Sequence, residues 1–223
     1  MSFKQIVFTG LMFVIMAFAA ALWFYPQLPN PMPSHWDAAG HINGYLPKSW
    51  GAFLLPLIML VIWILLTVLP RIAPKGYRLD SFLAVYGIVN LAALGMFLLI
   101  TIATLFTARG AHLPIQRIAP LLAGLLMMVI GNYLGKFRKN FFAGIRTPWT
   151  LASDEVWTRT HRLGSWFFVA GGLVIAVTAL IAPAEAEPVL QVGTVLLCVA
   201  IPYAGSYFIY RRVEGFDRNK QDG

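Results

Sequence analysis

Charge is what this chain has least of. Only 12% of its 223 residues are Asp, Glu, Lys or Arg, while 59% are hydrophobic. A soluble domain carries about 25% charged and 45–50% apolar residues. The deficit excludes a water-soluble core and points to a chain that crosses a membrane several times. Cysteine is nearly missing as well. Cys198 stands alone in an apolar run, which excludes an internal disulfide framework and a multi-Cys zinc site. No Asp, Glu, Lys, Arg or His sits in the central part of any long apolar run. Such residues at membrane depth are costly and mark ion or proton paths, so their absence argues against an ion-coupled pump. There is no Gly/Ser linker, no low-complexity tail and no sustained internal repeat, and so no inverted-repeat signature of a secondary transporter. HEXXH, phosphate-binding glycine loops and a Ser or Cys in a nucleophile setting are also missing, which removes the parts for several common chemistries.

What is present is six apolar runs, each long enough to cross a bilayer as a helix of about 20 residues. They cover 6–25, 50–69, 82–106, 118–134, 163–181 and 189–210. Pro120 is expected in the first turn of the fourth, where its missing N–H is harmless, and Pro202 is expected to kink the sixth. No small-residue cleavage pattern follows Tyr25, so the first run reads as a retained span rather than a signal peptide. The fold class is therefore an all-α integral membrane protein of six transmembrane helices, forming one compact bundle.

Basic residues set the orientation, because cytoplasmic loops are rich in Lys and Arg. With the N-terminus inside, fourteen of the seventeen Lys and Arg residues fall in inside segments; only Lys48, Arg109 and Arg117 fall outside. Both termini are expected in the cytoplasm. The net charge of +8 is then a set of flanking charges, and no direct contact with nucleic acid is expected. Trp23, Tyr25, Trp50, Trp166, Tyr207 and Tyr210 lie near span ends, as an interfacial belt requires. Asn90, Thr101, Thr104, Gln191 and Thr194 are expected to hydrogen-bond between helices, and Gly164, Ala170, Gly171 and Gly172 to permit close helix packing.

Two polar stretches remain. The first, 26–49, is the one large outer loop. Pro26, Pro29, Pro31 and Pro33 stiffen it into an extended form. His35, Trp36 and Asp37 follow, then Gly40 and the Asn43-Gly44 turn formers. The segment reads as an ordered cap on the bundle or a site for an external ligand. His35, Asp37 and His41 fit no helical metal-ligand spacing, so no metal and no cofactor is expected.

The second stretch, 131–162, holds six of the basic residues and most of the turn formers: GNYLGKFRKNFFAGIRTPWTLASDEVWTRTHR. Lys136, Arg138 and Lys139 are expected to face anionic headgroups. Gly144 permits unusual dihedrals, and Pro148 pushes Thr147 towards an extended form. Ser153, followed by Asp154 and Glu155, is a helix start. Val156, Trp157, Thr160, His161 and Gly164 then recur at helical spacing, which predicts one buried face running into the fifth span. Arg146, a planar fork suited to carboxylates, phosphates or carbonyls, is the residue most in need of a partner. His161 is expected to be a structural hydrogen-bonder.

From Asn132 to Arg162 the chain closely resembles the signature of the SdpI family of bacterial membrane proteins. The loop PMPSHWDAAGHINGY looks like the small domain of unknown function that precedes that signature in many members. The resemblance divides the chain at residue 70: a helix pair carrying the outer loop (1–70), and an SdpI-like four-helix region (71–223) with the loop 135–162. The family pattern marks Asn132, Tyr133, Asn140, Gly144, Arg146, Thr147, Pro148, Trp149, Thr150, Leu151, Val156, Trp157, Thr160, His161 and Arg162. The family's namesake protects a producing cell from its own secreted peptide toxin and signals by holding a small repressor at the membrane.

The expectation is a non-enzymatic immunity or signalling protein of the bacterial cytoplasmic membrane. Its outer face, with His35, Trp36 and Asp37, would meet a membrane-active peptide or other ligand. Asn132, Tyr133, Arg146, Thr147, Pro148, Trp149, Trp157, His161 and Arg162 would serve a cytoplasmic transcriptional repressor. Two alternatives stay open. One is a membrane enzyme acting on lipid or peptide through Asp154, Glu155 and His161, or through His35, Asp37 and His41. The other is a transporter of a small amphiphile.

Overall fold

The computed structural model describes residues 1–72, 82–140 and 143–215. Lys75, Arg78, Arg218 and Lys220, four of the fourteen charges used for orientation, lie outside the described residues. Six of its helices are long and apolar enough to span a membrane: α1 (Phe3–Phe24), α2 (Lys48–Val68), α3 (Leu83–Ala108), α4 (Ile115–Leu134), α6 (Asp154–Ile181) and α7 (Glu187–Val213). A short helix, α5 (Pro148–Ala152), precedes α6. The chain is a multi-pass membrane protein. Val192, Leu196 and Val199, spaced along one row of α7, are more than half exposed, as lipid-facing side chains are.

The helices pack as two groups. In the first, α1, α2 and α3 close around Val14, Ala17, Met59, Leu94 and Leu98. In the second, α6 packs against both α4 and α7; α3 and α4 join the groups. The contact of α4 with α6 is close because Gly124 faces Gly172. A Cβ on Gly172 would stand 2.5 Å from the Gly124 carbonyl oxygen. Gly164 and Gly171 are also buried, as expected, but Ala170 is exposed and takes no part.

The loop after α1 departs from an all-helical chain. Strands β1 (Met32–Trp36) and β2 (Ile42–Leu46) pair antiparallel with an irregular register, Met32 opposite Leu46 and Trp36 opposite Ile42. Met32 is fully buried among α1, α2 and α3 and anchors the hairpin to the bundle. The Asn30–Pro31 peptide before it is cis.

Three further expectations need correction. Helix α4 begins at Ile115, so Pro120 lies inside it rather than in its first turn. Having no N–H, Pro120 cannot bond the Gln116 carbonyl. Thr194 donates to the Leu190 carbonyl one turn back in its own helix, where a hydroxyl finds an acceptor without a neighbour. Thr101 donates to the Phe97 carbonyl within α3 and also reaches Met59 Sδ of α2 at 4.0 Å, as expected. Further bonds between helices come from residues not expected to make them: Trp63 to the Val7 carbonyl, Tyr86 to the Leu66 carbonyl and Ser165 to the Gly131 carbonyl. Lys139 is not turned to lipid headgroups but pairs with Asp154 at 2.5 Å.

Candidate functional site

The polar residues gather at opposite ends of the bundle. The hairpin, the α3–α4 turn and the α6–α7 turn share one end. The Ser2 cap of α1, the end of α2 and residues 135–153 share the other.

At the second end, the described residues between Phe137 and His161 fold into a knot. Buried Asn140 donates to the Arg138 and Ala143 carbonyls and accepts from the Ala143 N–H. Gly144 follows with φ at +116°, a left-handed value that side chains rarely adopt. Next, the Ile145 N–H donates to His161 Nε2 at 3.0 Å. That acceptor role fixes the tautomer: His161 carries its proton on Nδ1 and donates it to the Trp157 carbonyl at 2.8 Å. The imidazole is fully buried and stacks on Trp157 with centroids 4.1 Å apart. Trp157 in turn donates its indole N–H to the Phe137 carbonyl at 2.7 Å. The loop is thus tied at both ends to one face of α6.

The next turn closes through hydroxyls. Thr147 is extended, as Pro148 demands, and caps α5 by accepting from the Thr150 N–H; Thr150 answers by accepting from the Thr147 N–H. Such a cap contributes about 1 kcal/mol. The Thr150 hydroxyl also reaches the Ile145 carbonyl, and the Thr147 hydroxyl meets Ser206 of α7 at 3.0 Å. Trp149 packs edge-on against Tyr207 and Tyr203 of α7. Ser153 accepts from the Val156 N–H to start α6 and donates to Glu214.

The residues marked by sequence therefore separate. Thr147, Trp157 and His161 are buried and hold the knot. Trp149 is half-buried; Tyr133 is half-buried under Lys136, whose ammonium stands 4.8 Å from the ring centroid. Asn132, Arg146, Pro148 and Arg162 are exposed at the same end. The acid–base groups do not converge: Asp154 pairs with Lys139, Glu155 with Arg159, and His161 is enclosed.

At the hairpin end, His35, Trp36 and Asp37 line a cavity of about 680 Å³, within the range of about 300–1,000 Å³ usual for ligand sites. Its walls are mainly apolar and come from the hairpin and the ends of α2, α3, α4 and α7. His35 Nδ1 lies 2.5 Å from Asn43 Oδ1. Asp37 accepts from the His41 N–H at 2.8 Å, and that bond holds its carboxyl below the usual carboxylate range. Among the described residues, no group of three or more His, Cys, Asp or Glu is placed to hold a metal.

The same cavity contains Gln116 and Glu187, which sequence reasoning missed, and Thr104 and Gln191, which it assigned to helix packing instead. Glu187 is 96% buried, being 4% exposed. The one available signal was an acid in the first turn of a span, in a chain with nine Asp and Glu residues in all.

Residues 136–209 match the SdpI/YfhL protein family, and residues 12–60 match a domain of unknown function, DUF1648. The immunity protein SdpI of Bacillus subtilis (strain 168) is 25% identical over 206 residues, covering 92% of this chain and 96% of that protein. No solved structure matches the chain. The SdpI/YfhL match spans the knot, α6 and most of α7, and the domain of unknown function covers the hairpin and parts of its flanking helices. The chain is a multi-pass membrane protein that resembles the SdpI/YfhL family over residues 136–209 and the Bacillus subtilis immunity protein over most of its length.

Proposed function

We propose that this is a membrane immunity protein that recognises a membrane-active peptide at its hairpin end and passes a signal from the knot end. The hairpin end faces the exterior and the knot end faces the cytoplasm, in line with the excess of Lys and Arg around the knot. The observation that carries the reading is the match to an immunity protein over 92% of the chain. A cavity lined by His35, Trp36 and Asp37 at one end, and a firmly built polar knot at the other, fit a receptor with two faces. In the knot, Thr147, Trp157 and His161 hold the shape. Asn132, Tyr133, Arg146, Pro148, Trp149 and Arg162 offer the surface for a cytoplasmic regulator, of which a transcriptional repressor is the expected kind.

Survival tests the immunity half. Cells sensitive to a panel of membrane-active peptides, expressing this chain, should tolerate higher doses of at least one of them than cells with an empty vector. Equal killing across the panel would contradict the reading. For the regulatory half, a photo-cross-linker at exposed Arg146 should trap a soluble DNA-binding protein; recovery of lipid adducts alone would contradict it.

A further inference from the structure

We infer that the hairpin-end cavity binds the ammonium or guanidinium group of an apolar peptide, with Glu187 as its counter-ion. The inference rests on the immunity reading and gives the peptide a binding chemistry.

Glu187 opens α7, and its buried carboxylate lines the cavity. Among the described residues its carboxylate has one hydrogen-bond donor, the Gln191 amide, 2.8 Å from Oε1. No ion pair reaches it there. A carboxylate this little exposed is favoured by a cation or further donors. The lining offers no protein cation that answers it. Lys and Arg are not among the lining residues, and His35 is engaged with Asn43. Asp37, the other acid, is already held by His41. The cavity thus combines a buried acid, two amides (Gln116 and Gln191) and otherwise mainly apolar walls. That combination complements a positive charge carried on an apolar body. A transported anion, or a ligand that is apolar throughout, would leave Glu187 without its counter-charge.

The test uses purified protein in phosphatidylcholine nanodiscs. The probes are a labelled leucine–alanine peptide with a single lysine, and the same peptide with that lysine acetylated. The lysine form should bind about tenfold more tightly, the scale of one hydrogen-bonded charge pair. Glu187→Gln should erase the preference. Ala119→Phe, which fills the cavity from α4, should abolish binding of the lysine form, and it keeps the test open if Glu187→Gln fails to fold. Equal binding of both peptides, a preference that survives Glu187→Gln, or undiminished binding to Ala119→Phe would overturn the assignment. Complete displacement of the lysine peptide by phosphatidylethanolamine would overturn it in favour of a lipid amine. Charge-blind binding with peptide resistance intact in cells removes only this site; loss of resistance in the wild type removes the immunity reading itself.

Discussion

His161 shows how a residue with a catalytic reputation can be wholly committed to architecture. Its two ring nitrogens face the Ile145 N–H and the Trp157 carbonyl, so neither is left to exchange a proton with a substrate. The same imidazole explains Gly144, where a Cβ would run into His161 Nε2. With φ at +116°, an alanine there adds strain of about 1–3 kcal/mol to the displacement of His161. Gly144→Ala should therefore lower the unfolding temperature of detergent-solubilised protein markedly. An unchanged transition would mean that the knot does not hold this end together. Glu187 is the opposite case. The start of a helix favours a carboxylate by about 0.3–1 kcal/mol and the Gln191 amide donates to it, but no protein cation lines the cavity beside it.

At the level of elements, the spans were legible in the sequence because composition alone sets them. Lipid admits only helices with their backbone bonds satisfied internally. The buried face of α6 was legible too, since Val156, Trp157, Thr160, His161 and Gly164 recur at helical spacing and all are buried. The loop reads from sequence as a stiff cap or a ligand site without strands, because its prolines conceal strand pairing from a period-two pattern. Of the cavity, only the hairpin side, His35, Trp36 and Asp37, was legible. The rest forms from the ends of four helices far apart in the chain, and no local pattern marks Glu187 as enclosed.

Two predictions belong at this scale. Gly172→Leu should break the α4–α6 contact, where backbone atoms approach too closely for any side chain. The expected result is a poorly folded protein on gel filtration, whereas the exposed Ala170→Leu should be tolerated. If both behave alike, the two helices do not meet as described. The hairpin turn should depend on acid. Because the His41 N–H holds the Asp37 carboxyl below its ordinary value, its contribution is fully present above the ordinary carboxylate range. It is lost as pH falls through the lowered value. The His41 amide resonance should stay constant through that range and move only at lower pH; a midpoint at an ordinary carboxylate value or above would contradict the bond.

For the whole molecule, six spanning helices place the start of α1, the end of α7 and the knot on one side and the hairpin cavity on the other. The account depends on which side is which, since a receptor for an external peptide and a cytoplasmic regulator needs the cavity outside. Cysteine labelling in intact cells decides this, with the single native thiol, Cys198, buried. Ala39→Cys sits on the exposed hairpin loop and Thr158→Cys on the exposed face of α6 beside the knot. A membrane-impermeant maleimide should label Ala39→Cys in intact cells and Thr158→Cys only after lysis. Labelling of Thr158→Cys in intact cells, with Ala39→Cys protected until lysis, would contradict the account.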